Sequence, residues 1–176
     1  NNKIIQGSHP VGWCPRDQNP VSQHDTMGDV EPKIDDKNFL IKFVLDEFIF
    51  PVTTLRPETI FGITNLWVNP NTIYKKVSVD NETWIVSEEC AKKIEFFEKE
   101  VSIIGEIKGS QIIGKYAKNH DGREIPILPA EFVESSMGTG LVMSVPAHAP
   151  KDYQALMDLK ASNHELASKI EPIPMI

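Results

Sequence analysis

Apolar and polar positions alternate with a period near two along most of the chain, the mark of short strands with one or both faces buried. Phe39–Leu45 and Phe48–Thr53 are rich in β-branched and aromatic residues and are separated only by Asp46-Glu47, which predicts a hairpin. Thr64–Val68 predicts another strand, stopped by Asn69-Pro70-Asn71. Tyr74–Val79 and Thr83–Val86 flank Asp80-Asn81-Glu82 as a second hairpin. Val101–Ile107, Gln111–Gly114 and Arg123–Leu128 read as further strands, the last preceded by the turn His120-Asp121-Gly122. Leu141–Val145 places Ser144 among apolar residues as a mostly buried strand, and Pro146 ends it.

The period shifts towards 3.6 in few places. Ser87 predicts an N-cap, with Glu88 and Glu89 in the first turn, Cys90, Ile94 and Phe97 on one face and Lys92 and Lys93 on the other. Pro57–Gly62 fits a short helix or turn. Pro150–Lys160 predicts a helix that opens on Pro150 with Asp152 in its first turn, and Asn163–Lys169 a second short one. Many short strands and few helices predict an α+β, β-rich class: a small closed or nearly closed β-barrel, or a highly curved sheet, with peripheral helices.

Residues 1–37 have another texture, with Gly7, Pro10, Gly12, Pro15, Pro20, Gly28 and Pro32 spread among polar residues. They read as a loop-rich lead-in, packed on or linking to a single globular domain over 38–176. The 176 residues suffice for a sizeable core, and 40% hydrophobic with 24% charged residues is ordinary for a soluble globular protein. Asn1-Asn2-Lys3 offers neither an initiator Met nor a signal pattern, and Glu171–Ile176 ends in an extended stretch, so the chain reads as an excised fragment. No apolar run reaches the length of a membrane span.

Net charge −7 and a pI near 5.2 argue against nucleic-acid binding driven by a basic surface, but not against a site that admits the end of an RNA held elsewhere. Two distant cysteines, Cys14 and Cys90, suggest a reducing, cytoplasmic setting. Cys14, His9 and His24 fall short of a closed zinc set, since Asp17 stands where a second cysteine would complete half a ribbon. No metal is expected.

Two stretches concentrate chemistry. Thr53-Thr54-Leu55-Arg56-Pro57-Glu58-Thr59-Ile60-Phe61-Gly62 brings three hydroxyls, a cation and an acid together after two strand-like runs. Gly138-Thr139-Gly140 precedes Leu141–Val145, a loop with His148, and the helix start with Asp152. Asp152 is expected at an exposed helix start, where a first-turn carboxylate is held ionised by the helix dipole, and hydroxyls donate, accept and fill space at once. Met143 and Val145 suit a side-chain pocket or ordinary core. A Ser144–His148–Asp152 triad is disfavoured, because Ser144 lies within a strand without a nucleophile elbow.

"TLRPETIFGITNLWV" together with "GTGLVMSVPAHAPKDY" resembles the two signature segments of the editing domain inserted in class I valyl-, isoleucyl- and leucyl-tRNA synthetases. The wording is most similar to the archaeal and eukaryotic leucyl type, over about residues 38–176. The resemblance implies a small barrel with helices around it, and post-transfer editing: hydrolysis of the ester in mischarged tRNA(Leu), such as isoleucyl-, norvalyl- or methionyl-tRNA. It implies Asp152 as the anchor of the substrate amino group, Thr53, Thr54 and Thr59 around the aminoacyl group, and Thr59 as the obstacle that spares leucine. Bacterial members lack an equivalent of Leu55, so Thr53 and Thr54 do not align one to one. His148 orients a water or the RNA end, or is structural. Arg56 meets the ribose or phosphate, or pairs with Glu58. Gly138 and Thr139 join the substrate-binding set.

The implied partners are the 3′ end of aminoacylated tRNA(Leu) and the remainder of the synthetase chain. Without His-x-Gly-His, Lys-Met-Ser-Lys-Ser or a glycine-rich phosphate loop, this chain is not expected to activate an amino acid, and no cofactor is expected in it. ATP and magnesium would serve the full-length ligase. The other readings are a non-catalytic tRNA-end module of the same fold, the editing domain of a valyl or isoleucyl enzyme, and an unrelated esterase using His148.

Overall fold

The computed structural model describes residues 12–21, 38–94 and 101–175. The chain divides into two compact units, Asn1–Asp36 and Lys37–Ile176. In the first, β1 (Gly12–Cys14) and β2 (Asn19–Val21) form a small antiparallel ribbon. Cys14 Sγ donates to Asp17 Oδ2 at 3.2 Å, so the acid in the second cysteine's place is the thiol's own partner. His9 and His24, the other metal candidates, lie outside the described residues.

The second unit opens with β3 (Phe39–Leu45) and β4 (Phe48–Thr54), paired from Phe39↔Thr54 to Leu45↔Phe48. Asp46 takes φ +54°, a left-handed conformation that Asp tolerates and a two-residue hairpin needs. A 3-10 helix (Pro57–Gly62) leads to β5 (Asn65–Val68). β6 (Ile73–Val79) and β7 (Glu82–Val86) form the second hairpin, turned at Asp80 with φ +53°. Ser87 caps α1 (Glu88–Ile94), its Oγ accepting from Cys90 N at 3.1 Å; Phe97, placed on this helix by its periodicity, lies outside the described residues.

β8 (Val101–Lys108), β9 (Tyr116–Lys118), β10 (Glu124–Pro129) and β11 (Leu141–Ser144) complete one nine-stranded mixed sheet, ordered β11-β5-β10-β9-β3-β4-β7-β6-β8. α2 (Pro150–Ala161) and the short α3 (Glu165–Ser168) follow. No helix among the described residues is long and apolar enough to cross a membrane.

One expectation is corrected. Gln111–Gly114 is not a strand: a 3-10 helix spans Gly109–Gln111, and Gly114 takes φ +84°. Gly109 passes so close to Asn69 O that a Cβ would collide with it, so the chain turns there instead of running on. Of the forms expected for the β-rich core, the described residues show a curved sheet that is not closed into a barrel, since no ladder joins the end strands β8 and β11 among them. The sheet curls, and single bonds run from β7 and β6 to the segment before β11. Ser87 N, at the end of β7, donates to Thr139 O at 2.8 Å, and Tyr74 Oη, on β6, donates to Gly140 O at 2.9 Å.

The curl makes an inside. Phe43, Phe50, Leu66, Tyr74, Ile85 and Ile127 are fully buried in the concave core, each contributing on the order of 1.5–3 kcal/mol by leaving water. α2 and α3 cover the opposite face of β5, β10 and β11 through Trp67, Leu128, Leu156 and Ala167. α1 covers β6 and β7 through Trp84, Val86 and Ile94. β5 is buried on both faces, Leu66 and Val68 inward and Trp67 towards α2, which is why its sequence is almost continuously apolar.

Candidate functional site

A cavity of about 390 Å3 opens at the mouth of the concave core, within the usual range of about 300–1,000 Å3 for small-ligand sites. Its first wall is the end of β4 with the 3-10 helix: Thr53, Thr54, Leu55, Arg56 and Thr59. Its second is the segment around β11: Met137, Gly138, Leu141, Val142, Met143, Val145, His148 and Ala149. The two threonine- and glycine-bearing stretches, some eighty residues apart in sequence, therefore face one another.

The first wall is pinned by its own hydrogen bonds. Thr59 is buried; its Oγ1 donates to Arg56 O at 2.6 Å, and its backbone N donates to the same oxygen at 3.1 Å. A β-branched side chain with its hydroxyl tied has little rotamer freedom left. Thr54 Oγ1 accepts from Arg56 N at 3.1 Å. Arg56 pairs with Glu58 through Nε at 3.1 Å, both side chains exposed. The Glu58 carboxyl is held below the usual carboxylate range, first by hydrogen bonding to its own backbone and then by Arg56. Glu58 itself does not line the cavity.

The second wall turns its polar groups inward. Gly138 (φ +56°) packs so tightly on Thr53 that a Cβ would collide with Oγ1. That turn buries Thr139, whose side chain is not among the lining groups; its carbonyl instead takes the Ser87 bond. Thr139, expected in the binding set, is buried and does not line the cavity. Ser144 is fully buried and does not line the cavity.

Asp152 also departs from the expectation of an exposed helix start. It is 6% exposed, and α2 presses its first turn against β5 and β11. Trp67 Nε1 donates to Oδ1 at 3.1 Å and Val145 N to Oδ2 at 2.8 Å. Burial pushes its pKa up, opposed by the bonds from Val145 and Trp67 and by the charge of Lys151. Asp152 lies behind the cavity wall, one hydrogen bond from the lining residue Val145. His148 lines the cavity, and its Nε2 accepts from Met175 N at 3.1 Å, which puts the ring proton on Nδ1. Ser144, His148 and Asp152 make no mutual hydrogen bonds, so the disfavoured triad has no geometry here.

Sequence reasoning missed Leu55 and Met137, which are 59% and 68% exposed apolar side chains at the rim, and Tyr74, whose hydroxyl accepts from Asn69 N at 3.1 Å while holding Gly140. Burial pushes the Tyr74 pKa up to about 12. Among the described residues no group of three His, Cys, Asp or Glu side chains gathers as a metal set.

A curled β-rich domain with a pocket between a threonine segment and a Gly-Thr-Gly strand defines the class of editing domains inserted in aminoacyl-tRNA synthetases. The profile of the family "Leucyl-tRNA synthetase, editing domain" matches residues 37–170, and the chain belongs to that family. It is 54% identical over 157 residues to a leucine–tRNA ligase of Methanothrix thermoacetophila, covering 89% of this chain and 16% of that protein. The ligase of Pyrococcus horikoshii is 47% identical over 183 residues, covering 98% and 19%. The chain thus spans less than a fifth of these relatives' length.

The crystal structure of GlLeuRS-CP1 superposes with a TM-score of 0.67 at 26% identity, covering 78% of this chain and 69% of that one. The Plasmodium knowlesi cytosolic leucyl-tRNA synthetase editing domain shares the fold, with a TM-score of 0.63 at 19% identity over 74% and 65% of the two chains.

Proposed function

We propose that this domain hydrolyses the ester joining a wrong amino acid to tRNA(Leu), within a longer leucyl-tRNA synthetase chain in the cytoplasm. The observation that carries the reading is the cavity itself, with hydroxyls on one wall and apolar Leu141, Met143 and Val145 on the other. An aminoacyl ester needs such a pair: apolar surface for the side chain, and donors for the carbonyl and ribose. Hydrolysis then requires an aligned ester and a positioned water, with donors at the developing oxyanion.

In this reading Thr53 and Thr54 face the ester, and His148 presents Nδ1–H towards it. Arg56, exposed at the rim and tied only through Nε among the described residues, meets the RNA end with its outer N–H groups. From behind the lining residue Val145, Asp152 answers the substrate ammonium, which has to pass that wall to reach it. Its oxygens each accept one protein hydrogen bond and retain a lone pair. Water is the nucleophile, and the chemistry asks for no cofactor; ATP and magnesium belong to amino-acid activation elsewhere in the ligase.

Thr59 sets specificity. A synthetic pocket separates side chains differing by one methylene by only about 1–3 kcal/mol, so a second site must exclude the correct product by a clash. Leucine branches at Cγ, isoleucine at Cβ, and norvaline not at all; a pinned threonine meets only the first.

The test is release of isoleucine or norvaline from mischarged tRNA(Leu) by the full-length ligase, with and without Asp152→Ala. Hydrolysis that depends on Asp152 is expected. Intact binding of the RNA end without hydrolysis in the wild type would instead make the domain a non-catalytic module.

A further inference from the structure

Among the described residues, Trp67 is the one side chain that donates to Asp152. It sits at the centre of β5, opposite Val142 on β11 and Leu128 on β10, and is fully buried. Phe132 meets its ring edge-on at 5.8 Å and 69°. Two flanking strands and an aromatic neighbour fix the indole plane, so the direction of its N–H is set before any substrate arrives. A buried indole nitrogen needs an acceptor, and here it takes Asp152 Oδ1 at 3.1 Å. Val145 N takes the other oxygen at 2.8 Å, from the turn that also carries cavity residues. Donors on two different elements therefore hold the carboxylate by both oxygens.

We propose that Trp67 is a positioning residue for editing, acting through its indole N–H on Asp152 to set the carboxylate's orientation and keep it ionised. The inference rests on the functional reading of Asp152 given above.

The surrounding charges favour this reading of the N–H. β5 and β11 carry no titratable side chain. On α2 the nearest charge is Lys151, whose Nζ lies 4.9 Å from the Phe132 ring centre and whose field also favours the carboxylate. On the turn between β11 and α2, His148 spends Nε2 on Met175. On α3, Glu165 is paired with Lys169 at 3.2 Å. Burial opposes ionisation, so the two N–H donors and Lys151 are what offset it.

The test removes the N–H and keeps the bulk: Trp67→Phe, and site-specific 3-benzothienylalanine at position 67, which retains the bicyclic shape should the smaller ring unsettle the core. Two readouts are needed. One is the titration of the Asp152 carboxyl carbon by NMR in this chain. The other is the pH profile of isoleucyl-tRNA(Leu) hydrolysis by the full-length ligase. Loss of a hydrogen bond to a charged group predicts that Asp152 titrates about one pH unit higher and that the acid limb of the rate moves with it. On that limb, kcat/KM falls on the order of tenfold, and the loss closes towards alkaline pH. An unmoved Asp152 titration in the benzothienyl variant overturns the proposal and leaves the reading of Asp152 standing. A moved titration with an unmoved rate profile overturns both.

Discussion

The two walls of the cavity use polar residues in opposite ways. On the threonine wall, Thr53, Thr54, Arg56 and Thr59 all reach the cavity. On the glycine wall the lining is mostly apolar, while Thr139, Ser144 and Asp152 are buried behind it. The cause is what lies at the back of each. The end of β4 runs out into a 3-10 helix, where Thr54, Arg56, Glu58 and Thr59 hydrogen-bond locally while Thr54, Arg56 and Thr59 still face the opening. β11 is sandwiched between the concave core and α2, so polar side chains there are shut away from the opening; Asp152 finds two donors inside, whereas the Thr139 and Ser144 hydroxyls have no hydrogen-bond partner among the described residues. A cluster of polar residues in a motif thus marks a site without saying which of them touch the ligand.

The largest break in this contrast should come from Asp152→Ala. It strands the Trp67 indole N–H and the Val145 N–H, each buried donor costing about 1–3 kcal/mol. Chemical denaturation should show a loss of roughly 2–5 kcal/mol, together with loss of hydrolysis. A variant of unchanged stability would mean that Asp152 does not brace the second wall.

Gly138→Ala comes next. It adds a Cβ against Thr53 Oγ1 at φ +56°, and the left-handed conformation alone costs about 1–2 kcal/mol. The walls should separate, and hydrolysis should fall more than stability does. Full activity in this variant would show that the walls need not meet there.

A smaller effect is in pH. The folded pKa of Asp152 lies above its unfolded value, so the stability it contributes is complete below about pH 3.9 and is lost as pH rises through the folded pKa. The stability advantage of the wild type over Asp152→Asn should therefore shrink as pH rises from about 4 towards neutrality. An advantage that grows over that range would reverse the assigned direction.

The smallest effect belongs to the exposed rim. Glu58→Gln, which breaks the pair with Arg56, should change stability by less than about 0.5 kcal/mol. Any change in hydrolysis should appear in KM and weaken at high salt.

Much of this was legible in the sequence, for local reasons. Asp46 and Asp80 marked hairpin turns because left-handed backbone favours such residues. Ser87 marked a helix start because its hydroxyl has few better uses. What escaped depends on distant partners. Gly109 turns against Asn69, forty residues away in the chain, and so dissolves the expected strand at Gln111–Gly114. The short β9 owes its pairing to β10 and β3 rather than to its own three residues. Asp152 looked like an exposed helix-start acid because dipole arguments are local, whereas its burial is decided by Trp67, eighty-five residues earlier. One signal was available: an indole in a strand buried on both faces needs an acceptor, and the nearest candidate acid follows β11.

The central claim is that the pinned Thr59 spares leucine by a clash at its γ-branch. The most direct measurement is the rate at which the Thr59→Ala ligase deacylates leucyl-tRNA(Leu), beside its rate on isoleucyl-tRNA(Leu). Removing the tied side chain should let the enzyme hydrolyse its own correct product while activity on the isoleucyl ester persists. If the alanine variant leaves leucyl-tRNA(Leu) untouched while still clearing isoleucine, Thr59 is not the obstacle, and the account of how this cavity discriminates is wrong.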